Sequence, residues 1–451
     1  MKKYRLVSLL LSLLLLSGIL SPAVQAAPAP EVMAGAALLM DAANDEVLYE
    51  KNANNRMYPA SLTKVMTALL VLEEVDAGRL SLDQIVTASN TFSTGLAANG
   101  STQDIRPGEE MSLRDLLYCL LVASANESAN ILAETVDGSV STFVERMNRK
   151  AQELGCSGTH FANPHGLHVD DHYTTAHDIY LIARAAMEND TFRTIVSTRS
   201  YEIPATNMHK ARLFYSTNAL LVTWYYRESY IYDKAIGIKT GTTDEGGYCL
   251  LSAAENGEDY LISVVLNAPL VEKVEGGTDR RQFTESRELF KWGFSNFTRR
   301  QIVDTATPLA QVGVTLSQTD HVLVRPAHQL ERTLPRDMKL EDIKQEIVLD
   351  AETVEAPVEA GQTLGALTLT YQGQKLGSVD LVAVSGAERS RLLYYLAQIQ
   401  SFFQYTAVKL ATGVLILLLA LVILRKTVLR PRSRYGSRYS GRRRNYTGRR
   451  R

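Results

Sequence analysis

The strongest constraint on this chain is an apolar run close to its C-terminus. Residues 410–424 contain no charged side chain, and residues 425–451 carry 12 lysines and arginines but no aspartate or glutamate. A helix of about 20 residues that is apolar all round crosses a membrane rather than lying on its surface. A basic flank stays on the cytoplasmic side. We therefore predict a transmembrane helix over residues 405–425 and a basic cytoplasmic tail over residues 426–451.

The N-terminus has the pattern of a secretory signal. Lys2, Lys3 and Arg5 precede an apolar run over residues 6–20, and small residues lead to Ala26. This pattern predicts a signal peptide over residues 1–26, cleaved after Ala26, and a single-pass membrane protein whose residues between the signal and the apolar run lie outside the cytoplasm. Residues 27–424 hold 33 basic and 49 acidic side chains, a balance that argues against nucleic acid as a partner.

The exported part changes character along its length. Residues 27–298 mix predicted helices and strands, including a capped helix after Ser112, three apolar strands over residues 234–267 and a closing helix over 286–297. Short β-rich segments over residues 299–386 predict a separate all-β domain, and residues 387–404 predict a helical stalk. The three cysteines lie far apart in apolar segments, which favours buried free thiols and suggests no metal site.

Three short motifs occur in order. The first is Ser61-Leu-Thr-Lys64, where the serine and lysine are neighbours on one helix face. The simpler alternative makes Ser61 a helix cap and Lys64 a solvated charge, although a lysine opposes the dipole of a first helical turn. Ser124-Ala-Asn126 and Lys239-Thr240-Gly241 follow, the latter at a strand end. Together they form the ordered set of penicillin-binding proteins and class A β-lactamases.

The chain resembles the serine D-Ala-D-Ala carboxypeptidases, the low-molecular-mass penicillin-binding proteins of peptidase family S11. The segments IRPGEEMSLRDLLYCLLVASANESAN, FANPHGLHVDDHYTTAHDIYLIARA and APVEAGQTLGALTLTYQGQKLGSVDLVA carry the resemblance beyond the motifs. It implies an α/β (α+β) serine β-lactamase/penicillin-binding-protein-like transpeptidase fold, followed by a small all-β domain and a C-terminal transmembrane helix. The implied substrates are peptidoglycan stem peptides ending in D-Ala-D-Ala, with β-lactams as covalent inhibitors and no cofactor.

The chemistry accounts for the residue types at these positions. A serine hydroxyl needs a base, and Lys64 can serve if the Lys239 ammonium and the helix dipole lower its pKa. Ser124, held by Lys239, would relay a proton to the leaving amine, and Asn126 would hold the amide carbonyl of the substrate.

The resemblance further implies an oxyanion site and a carboxylate site. The backbone N–H groups of Ser61 and Thr242 would bind the oxyanion. The hydroxyls of Thr240 and Thr242 beside Gly241, with Arg281 in preference to Arg280, would bind the terminal carboxylate.

Three other functions are weighed against this one. A β-lactamase would carry aspartate where Ala125 stands, and the chain has no Glu-x-x-Leu-Asn segment. A metal-dependent peptidase is suggested by five histidines, which we expect to be exposed loop residues because their spacing fits no metal motif: His160, His165, His168, His172 and His177. The third alternative is an inactive wall-binding protein that kept the fold.

Overall fold

The computed structural model describes residues 28–97, 100–226, 229–274 and 276–427. The predicted signal peptide and nearly all of the predicted basic tail lie outside these residues. The described chain forms two compact units, one reaching Val303 and including Leu330–Lys344, the other comprising Asp304–Gln329 and the residues from Gln345 onward. The return of residues 330–344 to the first unit had no signal in the sequence.

The first unit contains seven α-helices and thirteen strands among its described residues. The helices are α1 Lys64–Asp76, α2 Leu113–Leu121, α3 Asn126–Asp137, α4 Val140–Glu153, α5 Ala176–Met187, α6 Asp190–Ser197 and α7 Arg281–Asn296. The strands are β1 Ala36–Asp41, β2 Glu46–Lys51, β3 Ile85–Thr87, β4 Glu110–Ser112, β5 Ser200–Ile203, β6 Arg212–Tyr215, β7 Ala235–Thr243, β8 Gly247–Asn256, β9 Asp259–Ala268, β10 Leu270–Glu272, β11 Thr278–Arg280, β12 Phe297–Val303 and β15 Leu330–Pro335.

A five-stranded antiparallel sheet of order β2-β1-β9-β8-β7 lies at the centre of this unit. Every residue of β1 is buried because helices cover both faces of the sheet. Leu38 packs on the face that holds α1, and its neighbour Leu39 packs on the opposite face with Phe290 of α7. Strand β7, which carries Lys239-Thr240-Gly241, is one of the two edge strands, so one side of its backbone remains unpaired within the sheet.

Local signals in the sequence agree with several observed elements. The Ser112 side chain caps α2 by accepting the backbone N–H of Asp115, and the Thr175 side chain caps α5 by accepting that of Asp178. The predicted hairpin at Asn256-Gly257 joins β8 to β9. The closing helix begins at Arg281, five residues before the predicted start, and the predicted helix at Ser61 begins as a 3-10 turn, Ala60–Thr63, that becomes α1 at Lys64.

The second unit is a β domain followed by two helices. Its strands are β13 Ala310–Thr315, β14 His321–Pro326, β16 Lys344–Leu349, β17 Thr353–Glu355, β18 Thr363–Tyr371 and β19 Gln374–Ala383. They form a six-stranded sheet of order β16-β18-β19-β14-β13-β17. Helices α8, Arg391–Gln404, and α9, Thr406–Thr427, follow the sheet. Helix α9 has 22 residues, and an 18-residue window within it has a mean hydropathy of 2.7, so the helix is long and apolar enough to cross a membrane.

Candidate active site

Ser61 lies in the 3-10 turn that precedes α1, and its side chain caps neither element. The capping alternative for Ser61 is therefore wrong. The turn starts with Ala60 in a left-handed conformation, φ +49°. The Thr63 hydroxyl fixes the turn by donating to the Ala60 carbonyl at 3.0 Å. Ser61 remains partly exposed at the floor of a cleft.

Lys64 contacts three other residues of the site through its amine. Its fully buried Nζ lies 2.8 Å from Ser61 Oγ, 2.7 Å from Asn126 Oδ1 and 2.8 Å from the His165 carbonyl oxygen. The amide and carbonyl oxygens can only accept hydrogen bonds. A neutral amine has two N–H groups for these two acceptors, which leaves its lone pair facing the Ser61 hydroxyl. The geometry therefore matches a lysine that can accept the proton of Ser61.

The electrostatics favour this neutral form. Burial lowers the pKa of Lys64 well below its ordinary value, the nearby Lys239 lowers it further, and Glu127 acts in the opposite direction. Lys239 was the charge expected from the sequence to lower the pKa of Lys64, but burial is the larger cause. Burial also lowers the pKa of Lys239, to about 7, and its Nζ donates to the Thr240 carbonyl at 2.9 Å.

A loop beneath the 3-10 turn supplies one of the Lys64 acceptors. Asn163 Oδ1 accepts the backbone N–H groups of His165 and Gly166, and Asn163 Nδ2 donates to the Leu167 carbonyl. Gly166 has φ +88°, and a Cβ there would lie 1.9 Å from the Ala60 carbonyl oxygen. Only glycine permits this approach. The role of the His165 carbonyl was missed from sequence, although the Asn-x-x-Gly-Leu segment marks the loop.

Ser124 and Asn126 lie at the start of α3. Ser124 is buried with φ +64°, and its hydroxyl makes no hydrogen bond with any residue that the structure describes, so the expected contact with Lys239 is not formed here. The Oδ1 atom of Asn126 faces Lys64, and its Nδ2 atom points towards Gly100, where an added Cβ would approach to 2.6 Å. The amide N–H groups of Asn126 are thus turned to the cleft side.

Glu127, which the sequence motifs do not include, is a buried carboxylate close to Lys64. Its Oε1 accepts the Thr102 hydroxyl at 2.7 Å and the Gln103 backbone N–H at 2.5 Å. In the sequence, only its position directly after Asn126 of the second motif marks Glu127 as a residue of the site. Glu127 supplies the negative charge that a transiently protonated Lys64 needs inside the protein.

Strand β7 forms the wall of the cleft that faces Asn126. A Cβ on Gly241 would lie 3.1 Å from Ser61 N, so the strand passes directly beside the 3-10 turn. The Thr240 hydroxyl lies 2.6 Å from that of Thr217, and Thr242 is exposed to the cleft. The cleft has a volume of about 690 Å³ and is lined by Ser61, Gly95, Leu96, Ala97, Gly100, Ser101, Asn126, Gly166, Leu167, His168, Thr242, Thr243, Asp244 and Glu245.

The two candidate arginines differ in their surroundings. Arg281 is engaged: its guanidinium pairs with Asp279 at 3.2 Å and with Glu285 at 3.1 Å. The Arg280 guanidinium lies over Tyr226, 4.3 Å from the ring centroid, and 5.6 Å from that of Tyr248, which is paired with Thr242 across the sheet. No carboxylate in the described part of the chain pairs with it. The geometry thus favours Arg280, contrary to the preference for Arg281 drawn from the sequence.

The histidine cluster divides into buried and partly exposed members. His165 and His172 are buried, so the expectation that all five are exposed is wrong for these two. The Nδ1 atom of His165 accepts the Leu167 N–H, and that of His172 accepts the Ala162 N–H, while His172 Nε2 lies 2.7 Å from the Thr63 hydroxyl. Both rings therefore support the active-site loop through hydrogen bonds with the protein itself.

Fold and site together define a serine hydrolase with a penicillin-binding-protein fold, and comparison with known proteins gives its family. The sequence profile described as D-alanyl-D-alanine carboxypeptidase, peptidase S11, matches residues 23–270, and that of the penicillin-binding protein 5 C-terminal domain matches residues 297–389. The chain belongs to the D-alanyl-D-alanine carboxypeptidase family. It is a serine-type D-Ala-D-Ala carboxypeptidase of peptidoglycan metabolism, as the resemblance implied.

Individual relatives cover most of the chain. The D-alanyl-D-alanine carboxypeptidase DacC of Escherichia coli is 30% identical over 81% of this chain and 86% of its own length. The D-alanyl-D-alanine carboxypeptidase DacF of Bacillus subtilis is 29% identical over 80% of this chain and 88% of its own length. Among solved structures, penicillin binding protein 5 from Haemophilus influenzae is 25% identical, with a TM-score of 0.65 over 80% of this chain and 99% of its own.

Proposed function

We propose that the protein is a membrane-anchored DD-carboxypeptidase that removes the terminal D-alanine from peptidoglycan stem pentapeptides through an acyl-enzyme on Ser61. The observation that carries this proposal is the Lys64 amine, 2.8 Å from Ser61 Oγ and held by two acceptors. The hydroxyl alone is a weak nucleophile, and a buried neutral amine beside it is the base that it needs.

Acylation follows from these contacts. Ser61 Oγ attacks the carbonyl carbon of the penultimate D-alanine while its proton passes to Lys64 Nζ. The backbone N–H groups of Ser61 and Thr242 stabilise the oxyanion. Collapse of this intermediate breaks the peptide bond. The departing amine of the terminal D-alanine takes a proton through the Ser124 hydroxyl, and Lys64 is returned to its neutral form.

Deacylation uses the same base. A water molecule gives its proton to Lys64, attacks the Ser61 ester and releases the shortened peptide, with the proton returned to Ser61 Oγ. Every proton in the cycle is held by a residue of the chain, so these steps use no cofactor. A β-lactam would acylate Ser61 in the same way and remain attached, because the amine expelled from its ring stays tethered in the site.

Substrate binding is assigned to the two sides of the cleft. The amide N–H groups of Asn126 donate to a carbonyl of the bound peptide. The hydroxyls of Thr240 and Thr242 and the guanidinium of Arg280 bind the terminal carboxylate, and a forked guanidinium matches a carboxylate in geometry and charge. Gly241 lets β7 pass directly beside the 3-10 turn that carries Ser61, because a Cβ there would lie 3.1 Å from Ser61 N.

Helix α9 is assigned to the membrane. Its 22 residues exceed the length needed to span the hydrocarbon layer, and the basic residues after it are held on the cytoplasmic side. This orientation leaves the catalytic unit outside the cytoplasm, where peptidoglycan lies.

Labelling with a fluorescent penicillin tests the nucleophile. Ser61→Ala should lose all labelling while its unfolding temperature stays within about 2 °C of that of the unchanged protein, because the change removes one partly exposed hydroxyl. Ser141→Ala, an exposed serine at the start of α4, is the matched control and should label normally. Labelling of folded Ser61→Ala would exclude Ser61. Release of D-alanine should also survive EDTA, and a loss restored by Zn²⁺ would favour the metallopeptidase alternative.

A further inference from the structure

A second cavity adjoins the catalytic cleft. It has a volume of about 350 Å³ and is lined by Arg56, Met57, Tyr58, Asp170, Tyr173, Glu245, Gly246 and Asn267. Glu245 lines both spaces. Tyr58 of the cavity wall contacts His168 of the cleft wall, with ring centroids 4.5 Å apart. The cavity is therefore a side chamber at one end of the cleft, and none of the catalytic steps above uses it.

The side chamber holds charges of both signs. The Arg56 guanidinium lies over the Tyr173 ring, 4.2 Å from its centroid, and no carboxylate in the described ranges forms an ion pair with it. Glu245 likewise has no basic partner there. Asp170 meets His168 Nε2 at 3.4 Å. One cation and two carboxylates thus line a single chamber without neutralising one another.

The direction of the bound peptide brings one side chain to this chamber. With the terminal carboxylate at Thr240 and the scissile carbonyl at Thr242, the peptide runs antiparallel to β7. Residues upstream of the scissile bond then pass towards Asp244 and Glu245, where β7 ends. The residue preceding the two D-alanines lies one strand step, about 3.4 Å, beyond the acylated residue. A long side chain on this third residue of the stem can enter the chamber.

We propose that the side chamber is the specificity site for the third residue of the stem peptide, and that it selects a diamino dicarboxylic acid. Such a side chain ends in an ammonium and a carboxylate on the same carbon. Glu245 and Asp170 bind the ammonium, and Arg56 binds the carboxylate by forked hydrogen bonds. A lysine at the same position offers only the ammonium and leaves Arg56 unpaired. The inference rests on the proposed carboxypeptidase function.

Three pentapeptides that differ only at the third residue test the assignment in the full chain. They carry meso-diaminopimelate, lysine or norleucine, and kcat/KM for D-alanine release is divided by the norleucyl value so that general losses of catalysis cancel. We expect a preference of about fivefold for diaminopimelyl over lysyl peptide, as for one partly exposed ion pair. Arg56→Gln should remove this preference. Glu245→Gln should lower both normalised values about fivefold and leave their ratio unchanged.

Two charged residues outside both spaces serve as controls. Arg149→Gln and Glu145→Gln in α4, which lines neither space, should leave all three values unchanged. Equal values for the three peptides in the unchanged protein, or a preference that survives Arg56→Gln, would overturn the side-chamber assignment while leaving the carboxypeptidase proposal standing. Failure to release D-alanine from any of the peptides, with no penicillin labelling of Ser61, would overturn the proposed function and the inference with it.

Discussion

The two buried histidines predict a loss of stability in mild acid. Burial lowers the pKa of His165 to about 3 and that of His172 to about 4, both from an ordinary 6.5. Both stay neutral in the folded chain at pH 5, while the unfolded chain binds a proton at each. Since the unfolded state then holds more protons, the free energy of unfolding falls as the pH drops through 6.5.

The magnitude follows from the pKa difference. Between pH 7.0 and 5.0 each histidine lowers the free energy of unfolding by about 2 kcal/mol, and the pair by about 4 kcal/mol. This is a large share of the roughly 5–15 kcal/mol by which a domain is stable. Glu46 acts in the opposite direction, because burial raises its pKa to about 6 and the folded state takes up its proton first. A difference between variants therefore isolates the histidines.

The assay is urea unfolding followed by tryptophan fluorescence at pH 7.0 and 5.0. The chain has two tryptophans, Trp224 and Trp292, and both lie in the first unit, so the signal reports on the unit that holds the histidines. His172→Gln should reduce the pH-dependent loss by about 2 kcal/mol relative to the unchanged protein. His177→Gln, at a half-exposed ring, is the control and should keep the full loss. An identical pH dependence in His172→Gln and the unchanged protein would refute the reasoning.

Three further predictions concern the site and the anchor. Gly166→Ala should slow penicillin acylation at least about tenfold, because the new Cβ would displace the Ala60 carbonyl and with it the His165 carbonyl that binds Lys64. Gly138→Ala is the control, since Gly138 also has a positive φ, +74°, but has open space around it. It should cost about 1 kcal/mol of stability and leave the acylation rate unchanged. Arg280→Gln should lower kcat/KM for the pentapeptide about tenfold or more, because it removes the guanidinium proposed to bind the terminal carboxylate of the substrate. Arg281→Gln should chiefly lower the unfolding temperature, since it leaves Glu285 without its ion pair. The reverse pattern would assign the substrate carboxylate to Arg281. Truncation after Gln398 should release a soluble enzyme that still binds penicillin, while high salt or carbonate should not strip the full chain from membranes; a truncated chain that stays in the membrane fraction would contradict the assignment of α9.

The sequence by itself determined the features that depend on local or periodic chemistry. The apolar run that forms α9, the capped helices α2 and α5 and the β8–β9 hairpin are each set by residues close together in the chain, so side-chain pattern and turn chemistry suffice. The motif residues Ser61 and Lys64 also belong here, because three residues of separation make them neighbours on any helical turn. The order of the three motifs along the chain is a property of the sequence alone, and it indicates the family.

Only the tertiary structure decided which distant groups meet. The His165 carbonyl contacts Lys64 across 101 residues, and Asn126 does so across 62, contacts that no local pattern encodes. Asp279 and Glu285 pair with the guanidinium of Arg281, an arrangement that two adjacent arginines in the sequence do not reveal. The burial of Lys64 lowers its pKa more than the neighbouring charge does, and burial is a property of the packed whole. A titratable group acquires its chemistry from everything that folds around it, whereas a helix or a turn is specified by its own residues.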